Sequence, residues 1–267
     1  MEKWFDFKGR GTNASTEVIA GITTFITMVY IAIVNPAILS KTGMDFNGVF
    51  VATILATMIG TLIMGVFSNY PIAIAPGMGL NSFFAFAVVL ALGITWQKAL
   101  GAVFIASLIF LVLSFTKFRN VLINSIPESL KHSITAGIGL FIAFIGLQGS
   151  KIIVDSPATL VTFGHASDPV VLLTIFNLFV TVVLMMFNVR GNIFIGMVIT
   201  AIIALFNGMI TLPPSLFVWP TGLEHTAMQM DIKGVFDDNL YAIIFTFFLI
   251  TLFDTTGTMI GIAEQAG

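Results

Sequence analysis

A broken apolar stretch places an asparagine where it could bind a ligand. In APGMGLNSFFAF, three residues that interrupt helix or permit close backbone approach, Pro76, Gly77 and Gly79, come just before Asn81. A helix restarting near Asn81 inside a membrane would offer backbone amides and partial positive charge to an electronegative ligand group. The alternative is a surface turn in which Asn81 caps the next helix.

A second polar side chain, Asp254, stands in the apolar run LITLFDTTGTMIGIA. A carboxylate inside a membrane costs roughly 2.5–3.5 kcal/mol and is by default a candidate functional group. Burial favours its neutral form, so Asp254 is also the candidate for proton coupling. Thr258 lies four residues later on the same helical face. The alternatives are an interfacial helix end or a hydrogen bond that packs helices.

Aromatic and metal-binding residues add less. Phe83 and Phe84 follow Asn81 closely and could stack on a planar ligand, but with 27 phenylalanines in the chain a core or lipid-facing role is the default. The chain has no cysteine, and its three histidines are scattered. We therefore expect neither a metal site nor a cofactor.

The composition is that of a membrane protein. Of the 267 residues, 57% are hydrophobic and 9% are charged, whereas soluble domains carry about 25% charged residues. The net charge of -2 gives no reason to expect a nucleic-acid partner. Continuous apolar runs without alternation predict a bundle of membrane-spanning helices rather than a β-barrel.

Each span of a bilayer needs about 20 apolar residues. Eight apolar windows meet or approach this length: 16–34, 49–67, 81–93, 97–116, 134–153, 170–188, 192–211 and 239–263. The third is short, which suggests that the broken stretch before it completes the crossing. Glu17 and Asn35 bracket the first span and are interpreted as interface residues, and Asn35 with Pro36 is expected to end it.

The distribution of Lys and Arg predicts the orientation, because cytoplasmic segments are enriched in them. With the N-terminus in the cytoplasm, the cytoplasmic segments hold Lys3, Lys8, Arg10, Lys117, Arg119, Lys131 and Arg190. The opposite side holds the smaller group, Lys41, Lys98, Lys151 and Lys233. A cytoplasmic N-terminus is therefore expected.

The longest polar connection, about 212–238, contains Pro213, Pro214 and Pro220 and is expected to be an extracytoplasmic loop. The run after it, FTFFLITLFD, shares a Thr-rich and Phe-rich texture with GITTFITMVY of the first span. This similarity suggests that a second repeat begins at about residue 239, as in inverted-repeat transporters.

Three blocks resemble the AzgA-like adenine/guanine/hypoxanthine permeases, a branch of the nucleobase:cation symporter-2 superfamily with a uracil/xanthine permease-like fold. They are WFDFKGRGTNASTEVIAGITTFITMVYIAIVNP (4–36), APGMGLNSFFAF (75–86) and LFDTTGT (252–258). The resemblance covers the whole chain.

The resemblance implies an all-α polytopic membrane fold of fourteen spans in two inverted seven-span repeats, divided into core and gate domains. Residues 1–116 are then core spans 1–4, residues 117–238 are gate spans 5–7 with the loop, and residues 239–267 are span 8, which starts the second repeat in the core. The third span is broken into an extended segment and a half-helix, and it faces a broken tenth span across the substrate.

For individual residues, the resemblance implies that Asn81 and Asp254 bind a purine base and that Phe83 or Phe84 stacks on its ring. Thr258 occupies a position that is ionisable in some uracil and xanthine relatives, so proton coupling through that position is in doubt. The acidic residue of the tenth span lies beyond these 267 residues. We therefore expect no transport by this segment alone.

The function implied by the resemblance is secondary active transport, not enzymatic catalysis. The protein would import adenine, guanine or hypoxanthine across the plasma membrane by symport, with a proton as the expected cation. Membrane lipid and a second copy of the chain are further expected partners. The alternative is an anion permease of the sulfate-transporter type with the same fold, although a buried carboxylate repels anions. A channel is a weaker alternative.

Overall fold

The computed structural model describes residues 5, 9, 11–116, 127–211, 219 and 221–266. Several residues used above for the orientation and the long loop lie outside this description: Lys3, Lys8, Arg10, Lys117, Arg119, Pro213, Pro214 and Pro220.

Within the described residues, the first part of the chain forms five α-helices. They are α1 (Ala14–Met28), α2 (Ile31–Leu39), α3 (Phe46–Val66), α4 (Met78–Ser82) and α5 (Trp96–Ser114). A π-helix (Phe83–Ala91) continues α4 directly. The side chain of Asn13 caps α1 by accepting a hydrogen bond from the N–H of Thr16.

In the described portion of the second part are five more α-helices and a hairpin. They are α6 (Glu128–Gly149), β1 (Ile153–Ser156), β2 (Leu160–Phe163), α7 (Pro169–Met186), α8 (Asn192–Phe206), α9 (Ile232–Asp237) and α10 (Tyr241–Ala266). The two strands pair antiparallel, with Ile153 opposite Phe163. Asp168 caps α7 at the N–H of Val170, and Pro169 occupies the first helical position, where its missing N–H costs nothing.

An apolar helix occupies each of the eight predicted windows. Among the described residues, five are long and apolar enough to cross a membrane: Ala14–Thr42, Phe46–Val66, Trp96–Ser114, Pro169–Met186 and Tyr241–Thr258. Three are shorter: Met78–Ala91, Gly139–Gly149 and Asn192–Phe206. The predicted polytopic helical class is confirmed, including the short third helix.

The first span does not end at Asn35 and Pro36, so that prediction was wrong. Helix α2 continues through Pro36, and α1 and α2 belong to one apolar segment, Ala14–Thr42. A proline disturbs the turn before it rather than the residues after it. In that turn the N–H groups of Ala32 and Ile33 bond three residues back instead of four.

The fifth predicted window, 134–153, runs too far, because α6 ends at Gly149. Lys151 takes a positive φ of 61°, which an α-helix does not allow. The β-branched residues that follow, Ile152, Ile153 and Val154, lead into β1 instead of extending the helix. The sequence interpretation missed this hairpin because an apolar β-branched run fits either structure.

The chain divides into two compact units. The first unit comprises Met1–Val34, Thr53–Ala75 and Ile145–Pro220, and the second comprises Asn35–Ala52, Pro76–Phe144 and Thr221–Gly267. In the first unit, α7 packs on α8 where Gly196 leaves room for Thr181.

In the second unit, α9 and α10 pack on α5 along a stripe of small buried residues, Ala99, Gly101, Ala102 and Ala106. A Cβ atom on Gly101 would lie 2.7 Å from the carbonyl oxygen of Asp231, so only glycine allows this approach. Val235 of α9 and Leu252 of α10 are buried. Helix α10 also packs on α4.

Candidate functional site

The chain between α3 and α4, residues 69–77, has no regular structure, as the proline and glycine pattern predicted. A side chain of α3 satisfies part of its backbone. The N–H of Ile74 donates to Thr61 Oγ1 at 3.0 Å, and the Thr61 hydroxyl donates to the carbonyl oxygen of Ile74 at 3.3 Å. Non-helical backbone in an apolar setting requires such partners, so Thr61 supports the break.

The half-helix, Met78–Ala91, consists of α4 and the π-helix that continues it. Gly77 is its N-cap residue, and no side chain caps it. The N–H of Asn81 donates to the carbonyl oxygen of Gly77 at 3.2 Å, so Asn81 lies inside the first turn. The sequence had suggested that Asn81 starts the helix or caps it, and both interpretations are corrected. Gly77 has φ -73° and ψ 119°, an extended conformation suited to an N-cap.

Helix α4 passes into the π-helix at Phe83. Its end is marked by the N–H of Leu92, which donates five residues back to Ala87 at 3.2 Å. Helices of the π type are rare and frequently occur at functional sites. The wider turns rotate the side chains after Phe83 away from the positions that a regular α-helix would give them, and no sequence pattern predicted this.

The side chain of Asn81 is held by a residue that the sequence interpretation had placed at the membrane interface. Asn81 Nδ2 donates to Asn35 Oδ1 at 2.6 Å, and Asn35 is only 4% exposed. The available signal was an amide inside an apolar run next to Pro36. Because the bond uses one N–H of Asn81, its amide oxygen and second N–H are left to other partners.

Asp254 of α10 lies directly against the start of the half-helix. A Cβ atom on Gly77 would be 2.5 Å from Asp254 Oδ2 and 3.7 Å from Cγ. The φ of Gly77 is accessible to any residue, so glycine is needed here for the close approach and not for the backbone angle. Asp254 is half-buried, and a helix N-terminus carries partial positive charge that stabilises a carboxylate.

Aromatic rings fill the space beside these polar groups. The ring of Phe83 meets Phe247 of α10 edge-on, with centroids 5.4 Å apart and planes at 81°. The ring of Phe84 lies 6.3 Å from the same Phe247 and is 4% exposed. Phe83 is half-buried and keeps more accessible surface than Phe84.

Comparison with known proteins shows where this arrangement belongs. The model of the Permease family (Xan_ur_permease) matches residues 15–267. The chain belongs to this family.

Three relatives show which members of the family this permease chain is similar to in sequence. The guanine/hypoxanthine permease PbuO of Bacillus subtilis is 51% identical over 268 residues, which cover 98% of this chain and 62% of the relative. The adenine permease AdeP of Escherichia coli is 42% identical over 100% of this chain and 60% of its own length. The guanine/hypoxanthine permease PbuG of Bacillus subtilis is 46% identical over 100% and 63%, respectively.

The permease chain thus spans about three fifths of the length of these relatives. The named relatives are permeases, not enzymes. Family membership together with the apolar helices makes the chain a multi-pass membrane protein.

In the permease chain, the predicted site residues divide into two groups. Gly77, Asn81, Phe83, Phe84 and Asp254 come together where α10 meets the half-helix. Thr258 is exposed, one turn beyond Asp254. Of the other members of the predicted break, Pro76 precedes the N-cap and Gly79 lies in the first turn of α4.

The chemistry of this meeting point is hydrogen bonding. A carboxylate accepts only, an amide both donates and accepts, and first-turn N–H groups of a helix donate. Such a set can bind a small planar molecule with donors and acceptors on its rim. Within the described ranges, no group of three or more His, Cys, Asp or Glu residues could hold a metal ion.

Proposed function

We propose that the full-length protein imports purine nucleobases across the plasma membrane, with protons as the coupled cation. The observation that carries the proposal is the contact between Asp254 and Gly77, the N-cap of the half-helix that bears Asn81. The printed names of the relatives, guanine/hypoxanthine and adenine permeases, supply the substrate class.

A purine offers the complementary groups. Its ring nitrogens accept hydrogen bonds, as does the exocyclic oxygen of guanine and hypoxanthine, and its N–H groups donate. In the proposed pose, the Asp254 carboxylate accepts hydrogen bonds from N–H groups of the purine. The amide of Asn81 pairs with an edge of the purine that carries one donor and one acceptor, as asparagine pairs with N6 and N7 of adenine. Phe83 is the ring available for stacking, since Phe84 is buried.

Transport in this proposal moves one domain against another around the fixed site. Spans 1–4 and 8 form the core and spans 5–7 form the gate. The packing of α10 on α5 and α4 supports placing the eighth span with the third and fourth. The N-terminus is cytoplasmic, as the distribution of Lys and Arg indicates.

Uptake of radiolabelled adenine, guanine and hypoxanthine by the full-length protein in cells lacking purine permeases tests the substrate. Asp254→Ala should reduce uptake about 10- to 150-fold, the effect of losing a hydrogen bond to a charged group. Asp237→Ala is the matched control, because that carboxylate is exposed at the end of α9. Unchanged uptake by Asp254→Ala would remove the role assigned to this residue.

Coupling to protons is tested with purified full-length protein in proteoliposomes. An inwardly directed proton gradient should drive accumulation of hypoxanthine above equilibrium, and a protonophore should abolish it. Asp254→Asn keeps the shape of the side chain but cannot release a proton, so it should exchange purines across the membrane without responding to the gradient. A full response to the gradient in Asp254→Asn excludes Asp254 as the proton carrier.

An anion permease of the sulfate-transporter type is the second candidate, because a helix N-terminus is a natural anion site. Asp254 disfavours it, since its negative charge lies at that N-terminus. Labelled sulfate, offered in the same cells with and without excess hypoxanthine, separates the two. Sulfate uptake that purines do not inhibit would support the anion permease.

A further inference from the structure

Phe247 is a fully buried aromatic residue of α10 that no sequence pattern marked. It lies seven residues before Asp254, two helical turns away on the same face. Its ring contacts Phe83 edge-on at 5.4 Å and lies 6.3 Å from Phe84. Phe247 therefore packs against the half-helix just past the turn that carries Asn81.

Helix α10 thus meets the half-helix at two points. Asp254 contacts Gly77 at the start of the half-helix, and Phe247 contacts Phe83 farther along. On the half-helix, Gly77 and Phe83 are six residues apart, which is about 9 Å along a helix. On α10, Phe247 and Asp254 are seven residues apart, or about 10.5 Å, so the two contacts have a similar spacing on both antiparallel segments. Two contacts at matched spacing fix how far α10 can slide or tilt against the half-helix.

The amide residue of the site, Asn81, lies between these two points on the half-helix. Asn81 comes after Gly77 and before Phe83 in the sequence. If the contact of Phe247 with Phe83 loosens, the half-helix loses one of its contacts with α10 on the far side of Asn81 from Gly77. The distance between the Asn81 amide and the Asp254 carboxylate then varies.

We propose that Phe247 is a positioning residue for purine binding, acting through Phe83 to set the spacing between Asn81 and Asp254. The proposal rests on the proposed function, because the purine supplies the readout. Phe247 itself is fully buried, so its ring offers no accessible surface to a ligand.

Phe248 provides a matched control. It is the next residue of α10, has the same side chain and is 7% exposed. Its ring lies 6.4 Å from Phe245 and lines an apolar cavity of about 410 Å³ with Ile105 and Ile109. Truncating Phe248 removes the same atoms from a buried position on a face of α10 that packs on α5.

The experiment compares Phe247→Leu, Phe83→Leu, the double variant and Phe248→Leu in the full-length protein. The amount of protein in the membrane, KM and maximal rate of hypoxanthine uptake are measured for each. We expect Phe247→Leu to raise KM about 2- to 12-fold, the range for an aromatic pair, with the maximal rate near that of Phe248→Leu. In the Phe83→Leu background, Phe247→Leu should change KM by a smaller factor than it does in wild type.

Two results overturn the proposal. If the KM effects of Phe247→Leu and Phe83→Leu multiply in the double variant, the two residues act independently. An equal rise of KM in Phe248→Leu would show a general loss of packing.

A second measurement separates this proposal from the proposed function. In purified protein carrying Asn81→Cys, the rate of modification by a small maleimide reports how freely the first turn of the half-helix moves. Adding Phe247→Leu should accelerate modification several-fold, whereas adding Phe248→Leu should not. If wild type takes up no purine, the proposed function fails, and equal labelling rates in the two variants overturn the positioning role itself.

Discussion

Asn81 Nδ2 donates a hydrogen bond of 2.6 Å to Asn35 Oδ1, and this bond joins the half-helix to the helix that contains Pro36. Because Asn35 is buried, the bond has little competition from water. It fixes which side of the Asn81 amide presents the oxygen. A ligand at Asn81 therefore meets one acceptor and one donor in a set order.

Replacing Asn35 should weaken purine binding without removing a group that touches the purine. In Asn35→Ala, the Asn81 amide is free to rotate, and we expect KM to rise about 2- to 12-fold, the net worth of one hydrogen bond. The maximal rate per molecule should change less. Concentration-dependent uptake of labelled hypoxanthine measures both quantities.

The control for this prediction is Asn207→Ala. Asn207 is exposed at the end of α8, and its amide donates to the backbone oxygen of Ile203 at 2.8 Å. Its KM should equal that of wild type. A wild-type KM in Asn35→Ala as well would show that orienting Asn81 does not matter to binding.

Gly77 should tolerate no side chain. A Cβ atom there would lie 2.5 Å from Asp254 Oδ2, so Gly77→Ala must push α10 away or rotate the carboxylate. Overpacking of this kind costs about 1–3 kcal/mol, which corresponds to about 5- to 150-fold in KM or maximal rate. Hypoxanthine uptake, normalised to the amount of protein in the membrane, measures the loss.

Gly146→Ala in α6 is the matched variant, since a Cβ atom there meets nothing within 4 Å. Alanine is the better helix former, so this variant should transport as wild type does. Wild-type uptake by Gly77→Ala would mean that the close approach of Asp254 is not needed for transport.

The attachment of α9 to α5 should depend more on a helix cap than on an ion pair. Asp231 accepts from the N–H of Gly234 at 2.8 Å, while its own N–H donates to the carbonyl oxygen of Gln97 at 3.0 Å. Asp231→Ala should lower unfolding stability by about 1 kcal/mol. Lys98 pairs with Asp238 near the surface, where screening leaves such pairs weak, so Lys98→Ala should lower Tm less.

Thermal unfolding of the purified full-length protein in detergent ranks these two variants. Asp237→Ala, at an exposed carboxylate on the same short helix, serves as the reference for simple loss of charge. A larger drop in Tm for Lys98→Ala than for Asp231→Ala would reverse the order argued here.

Local chemistry explains what the sequence could predict. Prolines and glycines change the backbone where they stand, so Pro76 and Gly77 indicated the break, and apolar windows indicated the helices. The predictions failed where a residue distant in the sequence determines the local structure or the hydrogen-bond partner. Asn35 looks like an interfacial residue until the half-helix supplies Asn81 as its partner, and Pro36 looks like a helix end although α2 continues through it.

The packing around the site shows the same limit. Nothing in 27 phenylalanines distinguishes Phe247 from Phe248, because both are apolar and both are buried. Only the rotation of α10 decides that the ring of Phe247 meets Phe83, while that of Phe248 lines a cavity with Ile105 and Ile109 of α5. The π-helix is a similar case, since its residues are equally compatible with a regular α-helix.

The proposed orientation makes a final prediction that uses the lack of cysteine in these 267 residues. Single cysteines at exposed positions report which side of the membrane they occupy. With a cytoplasmic N-terminus, Phe163→Cys in β2 and Glu224→Cys in the long loop face outward, while Phe115→Cys after α5 and Phe187→Cys after α7 face inward. A membrane-impermeant maleimide on intact cells should label Phe163→Cys and Glu224→Cys, and permeabilisation should be required to label Phe115→Cys and Phe187→Cys.

The unsubstituted full-length protein gives the background from any cysteine elsewhere. Labelling of Phe115→Cys and Phe187→Cys in intact cells, with protection of the other two, would place the N-terminus outside, because an even number of spans separates the N-terminus from each of these two positions.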